Sequence, residues 1–153
     1  NHVSLYEMNV AEAKGMKITI TEVYEYIIDN YKENVCKALK SVADAPDGAV
    51  LYHCFLGKDR TGILSMLLLT IAGVGEDDIV ADYQLTYTYL ESYMFTHADT
   101  LWDTDPAMHY SLPQTMRSLI AYVKEKYGSV IDYIRLTGVT DEEIEKIRKK
   151  FYE

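Results

Sequence analysis

The tightest constraint on this chain is ten residues long: His53-Cys54-Phe55-Leu56-Gly57-Lys58-Asp59-Arg60-Thr61-Gly62. The stretch is polar and glycine-bearing, yet it is held between two apolar runs. The run before it, Ala49-Val50-Leu51-Tyr52, is short and follows the turn residues Asp44-Ala45-Pro46-Asp47-Gly48, so it reads as a buried strand. The run after it, residues 63–74, is too long for a strand and too short to cross a bilayer, and it contains Ser65 and Thr70. It reads as a buried helix over 63–72, closed by Gly73. A glycine-containing loop between a strand and a helix gathers backbone N–H groups into one concavity, which suits an anion.

The side chains in that loop belong to one kind of chemistry. Cys54 is the candidate nucleophile. A thiol attacks only as thiolate, and a helix N-terminus ringed with amides lowers its pKa. The amides of Phe55, Leu56, Gly57, Lys58, Asp59 and Arg60 would wrap a phosphate dianion, and Gly57 permits backbone angles that other residues resist. The Arg60 guanidinium would grip two phosphate oxygens at once, most tightly as phosphorus becomes trigonal bipyramidal. Thr61 could give its hydroxyl proton to the sulfur and help the thiolate depart from a cysteinyl-phosphate. His53 would brace the loop through its backbone, and Lys58 would add a second cation at the mouth. Asp59 is the nearest candidate for the acid that protonates the leaving alcohol, with Glu7, Glu12 or a residue absent from this sequence as rivals and loop-bracing as its alternative role. The amides and Arg60 supply the positive charge, so neither a metal nor a cofactor is expected.

The string His-Cys-Phe-x-Gly-Lys-Asp-Arg-Thr-Gly resembles the protein tyrosine phosphatase superfamily, and more narrowly its bacterial tyrosine and dual-specificity members. Weaker resemblance continues in Ile79-Val80-Ala81-Asp82-Tyr83 and in Leu136-Thr137-Gly138-Val139-Thr140-Asp141-Glu142-Glu143. It implies hydrolysis of phosphotyrosine, with phosphoserine, phosphothreonine or phosphoinositides as further substrates. It also implies an α/β fold, a mainly parallel sheet flanked by helices. Family members carry an Arg-Asp-Leu-Gly-Gly-type stretch and further strands ahead of the point where this sequence starts. The expectation is therefore one phosphatase domain over residues 1–153, corresponding to the C-terminal portion of the family's domain. It would lack N-terminal strands, be helix-rich, and leave its sheet for a partner segment or second chain to complete. The rival reading is a phosphate-binding module with little turnover.

Elsewhere the sequence supplies a scaffold. Val3 to Tyr6 reads as a short strand. Thr19-x-x-Glu22 is a capping box, and behind it Ile20, Val23, Ile27, Tyr31, Val35, Leu39 and Val42 form the apolar stripe of one amphipathic helix. A second helix is expected from Glu76 to about Phe95, with Tyr83, Tyr87, Tyr89 and Tyr93 as packing residues, followed by a loop over 96–110. Pro113 starts another helix that ends near Gly128, Ser129 starts a short one, and Thr140-x-x-Glu143 caps the last. Cys36 lies beside the first stripe as a packed, inert thiol. His97, Asp99, Asp103, Asp105 and His109 match no metal-ligand spacing.

Charge narrows the partners. The chain has 24 acidic and 15 basic residues, a formal net charge of −9, and no basic stripe to track a nucleic acid backbone. Two cysteines make no disulfide framework, so a reducing, cytoplasmic setting is the default. The chain starts at Asn1 rather than Met, which leaves open a signal sequence upstream.

Overall fold

A computed structural model describes the protein over residues 19–96 and 110–152. Among the described residues the chain runs through α1 (Ile20–Asn30), α2 (Lys32–Ala43), α3 (Asp59–Ile71), α4 (Glu76–Thr96), α5 (Pro113–Tyr127), α6 (Val130–Leu136) and α7 (Asp141–Lys149). The helices start where local chemistry says they should. The Thr19 hydroxyl accepts the Glu22 amide while the Glu22 carboxylate accepts the Thr19 amide at 2.6 Å. Thr140 and Glu143 repeat the arrangement at the head of α7, and Ser129 caps α6 through the Asp132 amide at 3.0 Å.

α3 is the centre of the molecule. Gly62, Ile63, Leu64, Met66, Leu67, Leu68 and Ile71 are all buried, so the helix is apolar on nearly every side and must be surrounded. It contacts α4, α6 and α7. α1 lies against α5, and α2 against α7. The side chains of α1, α2, α5 and α6 that meet in this core include Tyr24, Ile28, Leu39, Leu119, Val123 and Ile134. At its far end α3 is closed by the last helix: Arg148 Nε donates to the Ile71 carbonyl at 2.9 Å, and the Tyr152 hydroxyl donates to the Ala72 carbonyl. A cation at a helix C-terminus also opposes the negative end of the dipole.

Three expectations need correction. The first is the fold class, because the described residues contain no strand and no sheet, whether parallel or otherwise. The second follows from it. Ala49-Val50-Leu51-Tyr52 is irregular rather than a buried strand, with Leu51 89% exposed. An extended segment becomes a strand only when a neighbouring strand takes up its N–H and C=O groups, and among the described residues no backbone pairs with 49–52. The third is the single helix behind Thr19. Tyr31 leaves the helical region (φ −116°, ψ 34°) and divides it into α1 and α2. The break frees the carbonyls just before it for side-chain partners: Ile28 O accepts the buried Tyr133 hydroxyl from α6 at 2.9 Å, and Asp29 O accepts the neighbouring Lys32 Nζ. The Val3–Tyr6 strand and the candidate ligands at 97–109 lie outside the described residues. Among the described residues no group of His, Cys, Asp or Glu could hold a metal ion, and no helix is long and apolar enough to cross a membrane.

Candidate active site

The loop is approached along 49–52, which is pinned to α3 by Tyr52, whose hydroxyl lies 3.0 Å from Ser65 Oγ. His53 Nδ1–H then donates to the Cys54 carbonyl at 3.1 Å. The chain bends through 55–58, with Gly57 at φ +70°, a left-handed conformation that side chains disfavour. Helix α3 begins at Asp59, earlier than the apolar run alone indicates, and its first bond is Gly62 N–H to the Lys58 carbonyl at 2.8 Å. Asp59, Arg60 and Thr61 are therefore the first turn of the core helix, and Cys54 lies before its positive end.

Cys54 is half-buried and free of any disulfide, as is Cys36. Burial alone would push its thiol up. The Thr61 hydroxyl and the amides of Thr61 and Gly57 outweigh that and, against the opposing charge of Asp59, bring it below its ordinary value. Thr61 Oγ1 is buried and has no hydrogen-bond partner, so its proton is uncommitted and the hydroxyl lies where it favours the Cys54 thiolate. Arg60 is partly exposed in the same turn. Phe55 is 81% exposed at the loop surface, and Leu56 and Gly57 are half-buried.

Lys58 is not at the mouth. Its side chain is 1% exposed, and Nζ lies 2.7 Å from Asp59 Oδ1. The same carboxylate oxygen accepts the Tyr24 hydroxyl of α1 at 2.6 Å, and Tyr24 and Tyr83 of α4 share a hydroxyl contact of 2.8 Å. Burial first, and then the Asp59 charge, push the Tyr24 phenol well above its ordinary value, so it stays protonated and donates. Tyr83 is likewise pushed up by burial. The two rings meet edge to face, 6.2 Å between centroids. Gly62 is what lets Tyr83 in, because a Cβ there would lie 2.9 Å from Tyr83 Cδ2 and 3.1 Å from Cε2.

Tyr24 was invisible as a site residue in the sequence, since 35 residues separate it from Asp59. The other tyrosines of α4 divide: Tyr87 stacks at a tilt on Tyr110 with centroids 5.1 Å apart, whereas Tyr89 and Tyr93 are exposed. Cys36 is packed at the core margin, near enough to Gly138 that a Cβ there would sit 3.6 Å from its sulfur.

The chain is 27% identical over 148 residues to a tyrosine-protein phosphatase of Nostoc commune, covering 85% of this chain and 48% of that protein. It is 42% identical over 65 residues to the triple specificity protein phosphatase PtpB of Mycobacterium tuberculosis, covering 38% of this chain and 24% of that protein. The chain thus spans about half the length of the first relative and about a quarter of the second. Residues 2–153 match the Tyrosine phosphatase family over nearly the whole chain, and the chain belongs to that family.

Proposed function

We propose that this chain carries the phosphate-binding and nucleophilic centre of a phosphomonoester hydrolase acting on phosphotyrosine, with phosphoserine, phosphothreonine or phosphoinositides as further substrates. The observation that carries the reading is Cys54, a thiol held below its ordinary pKa by Thr61 and two loop amides at the start of α3. Cys54 Sγ attacks phosphorus in line, and the P–O bond to the leaving alcohol breaks with a proton delivered to that oxygen. Arg60 and the 55–60 amides hold the three equatorial oxygens as charge builds on them. Water then attacks the cysteinyl-phosphate, releasing inorganic phosphate and a thiolate that receives the Thr61 hydroxyl bond.

Asp59 Oδ1 already accepts Tyr24 and Lys58, which favours loop-bracing over proton donation. Glu7 and Glu12 lie outside the described residues. Asp59→Asn with a good and a poor leaving group separates the roles: a brace affects both alike, an acid chiefly the poor one.

The test of the whole reading is rapid mixing with p-nitrophenyl phosphate. A burst of nitrophenolate equal to the Cys54 content is expected, with Cys54→Ser abolishing it while vanadate or phosphate still binds. Binding without a burst in the unaltered chain would leave a phosphate-binding module in place of an enzyme.

A further inference from the structure

We propose that Tyr24 and Tyr83 are positioning residues for the Cys54 loop, acting through Asp59: a hydroxyl chain from α4 through α1 fixes the carboxylate that neighbours the nucleophile. The inference rests on the reading of Cys54 as nucleophile and names what sets its reactivity.

The geometry is continuous. Tyr83 meets Tyr24 at 2.8 Å, Tyr24 meets Asp59 Oδ1 at 2.6 Å, and Lys58 Nζ meets the same oxygen at 2.7 Å. Tyr24 is fully buried, Tyr83 2% exposed and Lys58 1% exposed, so the chain of bonds runs through the interior until it reaches Asp59, whose side chain is 33% exposed. An ammonium that deep needs an anion beside it, and Asp59 is that anion. Yet Asp59 also stands close enough to Cys54 for its charge to disfavour the thiolate. The loop therefore needs the Asp59 charge to hold Lys58 and needs it drawn away from the sulfur. A phenol donating to Oδ1 from the side of α1 does both. It spreads the negative charge toward the interior and keeps the carboxylate from turning outward toward the thiol. Tyr83 orients the Tyr24 hydroxyl in turn, and Gly62 leaves the room that Tyr83 needs.

The ionisable groups around Cys54 are His53 in the loop, Lys58 before α3, and Asp59 and Arg60 in its first turn, with Tyr24 on α1 and Tyr83 on α4 behind Asp59. Tyr24→Phe removes the donor to Asp59 together with the hydroxyl contact to Tyr83. The experiment is the pH dependence of Cys54 alkylation by iodoacetamide in a Cys36→Ser background, which reads the thiol whether or not the chain turns over. Tyr24→Phe is expected to raise the Cys54 pKa by about 0.5 pH unit and slow alkylation about threefold at pH below it. Tyr83→Phe should produce a smaller rise in the same direction. Asp59→Asn should lower the pKa, and in that background Tyr24→Phe should no longer move it. A Tyr24→Phe shift that persists unchanged in the Asp59→Asn background, or no shift in folded Tyr24→Phe protein, overturns the proposal. Circular dichroism confirms folding of each variant, and Tyr83→Phe supplies the reading if Tyr24→Phe fails to fold. Loss of the p-nitrophenolate burst with the alkylation pattern intact would sink the hydrolase reading and leave this one standing.

Discussion

Gly62 and Tyr83 show how little space separates the loop from the core. A methyl group at 62 would sit 2.9 Å from a ring carbon that is buried and already bonded through its hydroxyl to Tyr24. Alanine normally stabilises a helix over glycine by about 1 kcal/mol, but overpacking against a fixed ring costs about 1–3 kcal/mol. Gly62→Ala is therefore expected to lower the urea midpoint rather than raise it, and to slow alkylation of Cys54 as Tyr83 is pushed from Tyr24. A rise in stability with unchanged thiol reactivity would show that Tyr83 has room to yield. Residues of this kind are only half legible in sequence. Cys54, Arg60, Thr61 and Gly57 declare themselves by spacing, because the loop's chemistry is local. Lys58 read as a surface cation, since nothing in its neighbours reveals that the chain turns its side chain inward onto Asp59. Tyr24 gave no signal at all, because its partners lie 35 and 59 residues away.

Among elements, a three-bond tie between distant helices is made by Asp29 at the end of α1. Its carboxylate accepts Tyr122 and Lys126 at 2.7 Å each and Tyr127 at 2.5 Å, all from α5. Lys126 and Lys32 also lie over the Tyr127 ring, at 5.7 and 5.4 Å. Burial would raise the Asp29 carboxyl, but the bonds from Lys126, Tyr127 and Tyr122 outweigh it and hold it below its ordinary value of 3.8. A depressed folded pKa means that the stabilisation is present above that value and is lost as pH falls through the lower, folded one. Asp29→Asn should thus cost about 2 kcal/mol at pH 7, with the difference from the unaltered chain narrowing steadily below pH 4, as urea titrations at both pH values would show. A cost equal at pH 7 and pH 3 would mean that the charge is irrelevant. The same region explains a misreading. The apolar stripe from Ile20 to Val42 crosses Tyr31 without interruption, and no glycine or proline marks the break. What sets it is tertiary, the Tyr133 hydroxyl on the Ile28 carbonyl, a contact spanning 105 residues. The capping boxes at Thr19 and Thr140, by contrast, were readable because four consecutive residues contain the whole interaction.

For the molecule as a whole, two surface properties oppose each other. A net charge of −9 keeps copies apart, while Val50 and Leu51 present an extended apolar segment to solvent. The expectation of a buried strand there failed because apolar composition records a preference for burial, not the presence of the neighbour that would satisfy it. Added salt screens the repulsion, so self-association should increase with ionic strength and be relieved by Leu51→Glu, read as weight-average mass by light scattering. Equal association of both proteins across salt would exonerate the segment. The closure of α3 by Arg148 and Tyr152 has a different consequence. Thirteen residues of helix, about 20 Å, separate that closure from the thiol at the other end. Loosening that seal from within, as Arg148→Ala would, therefore frays the central helix from the end remote from Cys54. Resistance to heat is then the first property to fall and thiol reactivity the last, so the two report on opposite ends of one helix.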